Sequence, residues 1–394
     1  MTRRAGGPAA LLPEASADAR AASTRLHRHI GEQIDAAGGW IGFDRFMELA
    51  LYTPGLGYYA GGARKFGAAG DFVTAPEISP AFGQTIAQQL VQIFNLGSRQ
   101  IIEVGAGSGR LAVDLLLELE ELGALPDLYG IIELSGELRA RQEAAMRNEA
   151  AHLLPRVEWF DRLPERFAGV VLANEVVDAM PAHLVFWHDH GIAERGVVCE
   201  DGELSWLDRP ASGRLLDRAR ALASECAIVP PYLSEIALAG PAWVAQWAQI
   251  IERGLLLVID YGFPRREYYH PQRTSGTLMC HYRHHAHADP FHLPGLQDIT
   301  VHVDFSALVE AGCEAGLDLL GYTTQASFLF NCRLTRILER TPADDSVRYL
   351  RLAGGVQKLI SPAEMGELFK VLALGREVAE PLLGFSIGDR SATL

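Results

Sequence analysis

Paired cysteines, long apolar runs and positive charge are all scarce in this sequence. The five cysteines, Cys199, Cys226, Cys280, Cys313 and Cys332, are odd in number, scattered and without a CxxC pair. Neither a disulfide framework nor a zinc knuckle is therefore indicated, and a reducing compartment fits best. No uninterrupted apolar stretch approaches the roughly 20 residues that a membrane-crossing helix needs. A soluble chain without membrane insertion is expected. Lys and Arg number 35 against 49 Asp and Glu, a net charge of −14. General affinity for nucleic acid or anionic membrane, which requires a cationic face, is thereby excluded. Internal repeats and low-complexity tracts are also missing. With 394 residues, of which 48% are hydrophobic, the chain can nevertheless bury a sizeable core, as one large domain with additions or as two.

Hydrophobic periodicity divides the chain into five parts. Residues 1–23, rich in Ala and Arg, are expected to be disordered. Glu14 and Asp18 argue against an organellar transit peptide, which avoids acids, so a cytoplasmic location is expected, with the mitochondrial matrix as the alternative. Residues 24–98 read as N-terminal helices, broken at Gly38 and Gly39, followed by a glycine-rich, aromatic loop and a helix opened by Ser79 and Pro80. Residues 99–183 alternate strand and helix in βαβ fashion, and such buried apolar runs between helices imply a parallel sheet covered on both faces. Residues 184–252 change to hairpin patterning around Gly191 and Asp201-Gly202, followed by a helix near 243–251, and read as an inserted subdomain. Residues 253–394 return to the core with a strand at 254–262. They are expected to end in helices, with Ser361, Pro362 and Glu364 as a capping box before residues 365–376. The fold class is α/β, a Rossmann-like sheet with a helical N-terminal segment and a β-hairpin and helical insertion.

The stretch IIEVGAGSGRL, residues 101–111, carries the most specific chemistry. A short strand runs into Gly105, Ala106, Gly107 and Gly109 and then into a helix. Glycines there let backbone approach a nucleotide-like ligand, and the helix start offers free N–H groups. The dinucleotide fingerprint GxGxxG would need a third glycine where Arg110 stands. Glu103 at the end of the strand would repel a pyrophosphate but can pair with a cationic amino-acid head. S-Adenosyl-L-methionine has such a head, and Glu133, at the end of the next strand, is placed to accept both ribose hydroxyls. Asn174, at the end of a later apolar strand, completes the expected cofactor set of Glu103, Gly105, Ala106, Gly107, Gly109 and Glu133. A nicotinamide oxidoreductase is the competing reading, disfavoured by Arg110 and Glu103.

The segments YTPGLGYY, GDFVTAPEISPAFG, EVGAGSGRL, IIELSGELRARQ, ANEVVDAMPAHL, LLLVIDYGF, PGLQDITVHVDF and SPAEMGELFKVLALG follow one another in an order that resembles the MidA-like methyltransferases over most of residues 52–375. The resemblance implies a class I S-adenosylmethionine-dependent methyltransferase with an elaborated N-terminal segment and a large insertion. Mitochondrial members of the family are protein-arginine methyltransferases acting on a subunit of respiratory complex I during assembly, which implies a protein partner of that kind. The sequence departs from the family pattern at Gly136 and at the valines Val176 and Val177, neither of which removes a polar group. Oligomeric state is not legible. A small-molecule methyltransferase and a non-catalytic assembly factor on the same fold are the alternatives.

Methyl transfer is an in-line displacement that needs alignment and exclusion of water rather than a covalent nucleophile. A guanidinium acceptor would need carboxylates to hold it in a bidentate fork. Three acids near the expected carboxyl edge of the sheet qualify as catalytic candidates: Glu175, Asp178 and Glu77. The histidines His281, His284, His285, His287 and His292 match no compact zinc spacing, and no metal is expected. Tyr58, Tyr59 and Phe72 are candidate walls of the pocket, although loop packing explains them almost as well.

Overall fold

A computed structural model describes residues 12–61, 74–95, 97–341 and 345–394. Phe72, expected to wall the pocket, lies outside the described residues. Seven core strands carry the architecture: β1 (Gln100–Val104), β2 (Leu128–Ile132), β3 (Val157–Phe160), β4 (Phe167–Asn174), β5 (Ile251–Phe263), β6 (Asp318–Thr324) and β7 (Phe369–Arg376). They lie in the order β6-β7-β5-β4-β1-β2-β3. Strands β1 to β5 pair in parallel, whereas β7 runs antiparallel to both β5 and β6. The expected α/β, Rossmann-like sheet is present, and its crossover from β1 to β4 opens a crevice at the carboxyl ends of those strands, where open α/β sheets bind ligands.

Alternate residues of the same strands supply two apolar layers. Ile101, Val170, Leu172, Leu255 and Leu257 pack with helices Ala81–Phe94 and Arg110–Glu121, while Ile102, Val171, Leu256 and Val258 pack with Ala239–Ile250 and Phe305–Glu314. This period of two, apolar on both faces, is why these segments read as continuous hydrophobic runs. A second, antiparallel sheet is built from Gly191–Glu200, His183–His188, Tyr232–Ile236 and Glu203–Pro210, with the two-residue strand Ile41–Gly42 of the N-terminal segment on its edge. Helix Phe43–Tyr52 lies against this sheet and carries its apolar face, Phe43, Phe46, Met47 and Leu51, into a separate buried cluster.

Three expectations are corrected here. The N-terminal helix does not start at residue 24: it spans Ala17–Ala36, because the Ser16 side chain accepts from the Ala19 N–H at 3.2 Å and caps it. The segment 365–376, expected to be helical, contains strand β7, whose residues are buried almost throughout. The capping-box residues instead close the preceding helix Ser346–Ile360 in a turn, with the N–H groups of Glu364 and Gly366 donating to the Ser361 carbonyl at 3.1 and 2.9 Å. An apolar run with both faces covered fits a central strand better than an amphipathic helix. The histidine-rich segment, expected as a loop, forms strands Met279–Tyr282 and His285–His287, joined to Asp298–Thr300.

Where β4 and β5 begin, Gly169 faces Gly254. Gly254 has φ +127°, and a Cβ there would overlap the Gly169 carbonyl oxygen. Gly254→Ala is expected to cost about 3 kcal/mol or more, because backbone strain and a clash with main chain that cannot move add together. A melting temperature lowered by several degrees checks this, and an unchanged one would show that the sheet relaxes there freely.

Candidate active site

The crevice deepens into a cavity of about 980 Å³ lined from four directions. The β1 turn contributes Glu103, Gly105, Ala106, Gly107 and Ser108; the end of β2 contributes Glu133, Leu134 and Ser135; the end of β4 contributes Asn174 and Glu175; and the N-terminal segment contributes Tyr52, Tyr59, Thr74 and Pro76. Gly105, Gly107 and Gly109 all have positive φ, 67°, 54° and 84°, which explains three glycines in so short a turn. Gly109 is set apart from the other two. It lies behind the lining, where a Cβ would press on Gln142 Cα at 3.0 Å, so it serves the packing of the turn against helix Gly136–Glu149.

Gln142 went unnoticed in the sequence as a site residue, being one polar residue on a helix face. It is fully buried. Its Nε2 donates to the Gly107 carbonyl and to Glu133 Oε2, both at 3.0 Å, and its Oε1 accepts from Trp159 Nε1 at 2.9 Å. One amide thus ties the glycine turn to the acid at the end of β2. The other oxygen of Glu133 accepts from the Ser135 N–H at 2.9 Å. The position after this acid, Leu134, is an apolar side chain 82% exposed at the cavity rim.

Glu103 is buried and accepts from the Tyr129 hydroxyl at 2.7 Å. Burial, with the Glu133 charge adding to it, pushes its carboxyl up to about 7 although the tyrosine bond opposes the shift. Asn174 lines the cavity, and its Oδ1 is buried with no partner among the described residues. A buried acceptor of this kind calls for a donor from a ligand.

Glu175 sits in the left-handed region at φ 54°, which is costly for a non-glycine residue and persists only where surroundings enforce it. Its Oε1 accepts from the Ala75 N–H and from Asn174 Nδ2, each at 3.1 Å. Loss of solvation, with the Asp178 charge adding to it, raises this carboxyl to about 8. Asp178 is buried behind the cavity and does not line it. Burial lifts it to about 6 against a hydrogen bond from Tyr261, and its Oδ1 is unsatisfied among the described residues. Asp260, near the end of β5, is a further site residue that sequence reasoning missed; its carboxylate accepts from the N–H groups of Val177, Asp178 and Tyr261 at 2.9, 3.2 and 2.9 Å. It fixes the turn that carries Glu175. Glu77 lies away from the other two acids, and its Oε1 accepts from the Ser108 hydroxyl of the glycine turn. Glu175 and Asp178 are therefore brought together, and Glu77 is not.

On the opposite wall, Tyr52 and Tyr59 stack with ring centroids 5.6 Å apart. Their hydroxyls are turned away into the protein, donating to the Ala179 carbonyl and to Asp298 Oδ1, both at 2.9 Å. Tyr58 is buried behind them, packed edge-on against Tyr59. Arg110, standing where a dinucleotide site would have glycine, pairs with Asp114 and Glu149.

These groups suit S-adenosyl-L-methionine: a carboxylate at the end of β2 for a ribose, recessed acids and an orphaned carbonyl beside the glycine turn for a cationic amino-acid head, and an apolar rim. Known proteins agree. A crystal structure of a COG1565 superfamily member from Burkholderia thailandensis bound to S-adenosyl-homocysteine is 50% identical, covers 97% of this chain and 100% of its own, and superposes with a TM-score of 0.94. Curated relatives include the mitochondrial protein arginine methyltransferase NDUFAF7 of Danio rerio, 28% identical over 93% of this chain and 90% of its own. The Drosophila melanogaster homolog is 29% identical over 95% and 91%. Both names place those relatives in mitochondria, so they lend no support to the cytoplasmic location expected from the first 23 residues. Residues 85–323 match the family model described as S-adenosyl-L-methionine-dependent methyltransferase. The chain belongs to this family, with the MidA-like landmarks read in its sequence, and S-adenosyl-L-methionine is its cofactor.

Proposed function

We propose that this methyltransferase modifies an arginine guanidinium of a protein. The observation that carries the reading is the group of carboxylates at the acceptor edge. Asp178 raises Glu175, both raise Asp260, and none of the three is paired with a Lys or Arg among the described residues. A site that concentrates negative charge without a resident cation favours a cationic acceptor. The free oxygen of Glu175 would take one guanidinium N–H, and the stacked rings of Tyr52 and Tyr59 would offer their faces to the same cation. The names of the curated relatives support the same substrate class. The family resemblance makes a respiratory complex I subunit the first protein to test, and the mitochondrial location in the relatives' names favours the mitochondrial matrix as the accompanying location.

S-Adenosyl-L-methionine, when bound, supplies a methyl carbon activated by its sulfonium. The protein's part is binding and alignment. In this reading Glu133, held in place by Gln142 and Ser135, would accept the ribose hydroxyls. Glu103 and Asn174 would hold the amino-acid head, and Leu134 would offer an apolar contact to the base. Glu175 would orient the acceptor nitrogen, while the apolar wall would exclude water.

Three outcomes follow. Glu133→Ala should weaken cofactor binding by about 1.5–3 kcal/mol for each charge-assisted bond lost, measured by calorimetry. An affinity within threefold of wild type would leave Glu133 a structural role only. Glu175→Gln should keep cofactor affinity and lose on the order of 10²-fold in turnover of an arginine-containing protein substrate. Methylation of a small molecule alone, with no protein labelled by methyl-tritiated cofactor, would overturn the arginine reading. In the wild type, kcat/KM should rise as pH increases through about 8. The grip requires the ionised form of Glu175, whose proton is held up to that pH, so Glu175→Gln should lack this limb.

A further inference from the structure

Away from the cavity, the first turn of helix Phe43–Tyr52 meets the second sheet at a group of three side chains. His183 begins strand His183–His188, two residues after the cavity residue Pro181; Glu194 comes from the neighbouring strand Gly191–Glu200; and Asp44 comes from the helix. His183 Nδ1 stands 2.8 Å from Glu194 Oε1 and 3.4 Å from Asp44 Oδ1, and the three donor atoms lie within 4.8 Å of one another. No Lys or Arg among the described residues forms an ion pair with Asp44 or Glu194, so a single imidazole faces two carboxylates. The approach is built into the backbone. Position 42 is glycine, and a Cβ there would overlap the carboxylate oxygens of both acids.

We infer that Asp44, His183 and Glu194 form a binding site for a divalent transition-metal ion of the zinc type. Tetrahedral bonds of about 2.0–2.2 Å from one ion to nitrogen and oxygen ligands put neighbouring donor atoms roughly 3.3–3.6 Å apart. The 3.4 Å from His183 Nδ1 to Asp44 Oδ1 matches that edge, and the 2.8 Å contact with Glu194 Oε1 would open to admit the ion. One imidazole with two carboxylates is a borderline-to-hard donor set, suited to zinc or manganese, while the imidazole disfavours calcium and magnesium. All three side chains are partly exposed, at 17–31%, so water can complete the coordination. The ion would replace the proton that His183 now shares with Glu194. Its role is that of a staple between the helix that presents Glu48 and Tyr52 to the cavity and the strand that leaves it at Pro181. The sequence conceals the site because the three ligands are far apart along the chain, and the eye goes to the histidines at 281–292.

The test uses the tag-free full chain, dialysed against a chelator and titrated with zinc sulfate by calorimetry and thermal melting at pH 7.5. One equivalent should bind with a dissociation constant in the micromolar range or tighter and raise the melting temperature. His183→Ala and Asp44→Asn should each weaken binding at least tenfold. Asp44→Asn keeps the shape of the first helical turn, so its metal-free melting curve should match the wild type even if His183→Ala fails to fold. Absence of saturable binding would identify a proton-sharing ion pair and overturn the site. So would binding unchanged in Asp44→Asn, or binding lost only when the exposed His284 and His285 are replaced by Ala. Neither result bears on the arginine reading, which concerns the cavity.

Discussion

Burial of carboxylates without matching cations is the constraint around which this molecule is arranged. Glu103, Asp178 and Asp260 are almost wholly buried and Glu175 is recessed. No Lys or Arg among the described residues neutralises any of them, and each is held above the ordinary carboxylate range. Burying charge in this way costs stability unless protons or a partner compensate. The structure spends its hydrogen bonds accordingly. Tyr129 donates to Glu103, Ala75 and Asn174 to Glu175, and three backbone amides to Asp260. What these donors leave unfinished at the cavity, the buried Oδ1 of Asn174, is the part of the site that a donor from a ligand can complete.

The short helix Ala75–Ile78 links the two halves of the site. The N–H of Ala75 reaches Glu175 at the acceptor edge, and Glu77 reaches Ser108 in the glycine turn. Behind it, Gly355 of helix Ser346–Ile360 leaves only enough room for the Ile78 backbone, since a Cβ would approach the Ile78 carbonyl oxygen to 2.8 Å. Glu77, read in the sequence as a grip for the acceptor, is in place as a brace on the glycine turn. The end of β4 and the glycine turn are therefore both tied to this one element.

Much of this was legible because the relevant signals are local. The β1 turn, with a strand on one side and three glycines requiring positive φ, announces itself in a few residues, and acids at strand ends follow from the same register. The final strand was missed because residues 369–376 have no period of their own, and only the sheet on either side decides that they extend. Gln142, Asp260 and the group at Asp44, His183 and Glu194 were hidden for a different reason. Each acts through a partner distant in the chain, on an element whose own pattern demands nothing unusual. The helix start at Ser16 was legible in principle, as a serine ahead of a helical run, but the alanine- and arginine-rich composition around it suggested disorder instead.

The central claim, that recessed carboxylates hold their protons more tightly than usual until a cation arrives, can be measured through proton exchange on binding. Calorimetric titration of the protein with S-adenosyl-L-methionine at pH 7.5, in two buffers of different ionisation enthalpy, gives the number of protons released. With Glu103 raised to about 7 and facing the cationic amino-acid head, a fraction of a proton should be released, and a similar fraction with S-adenosyl-homocysteine, which carries the same head. Identical heats in both buffers, with both ligands bound, would contradict the account.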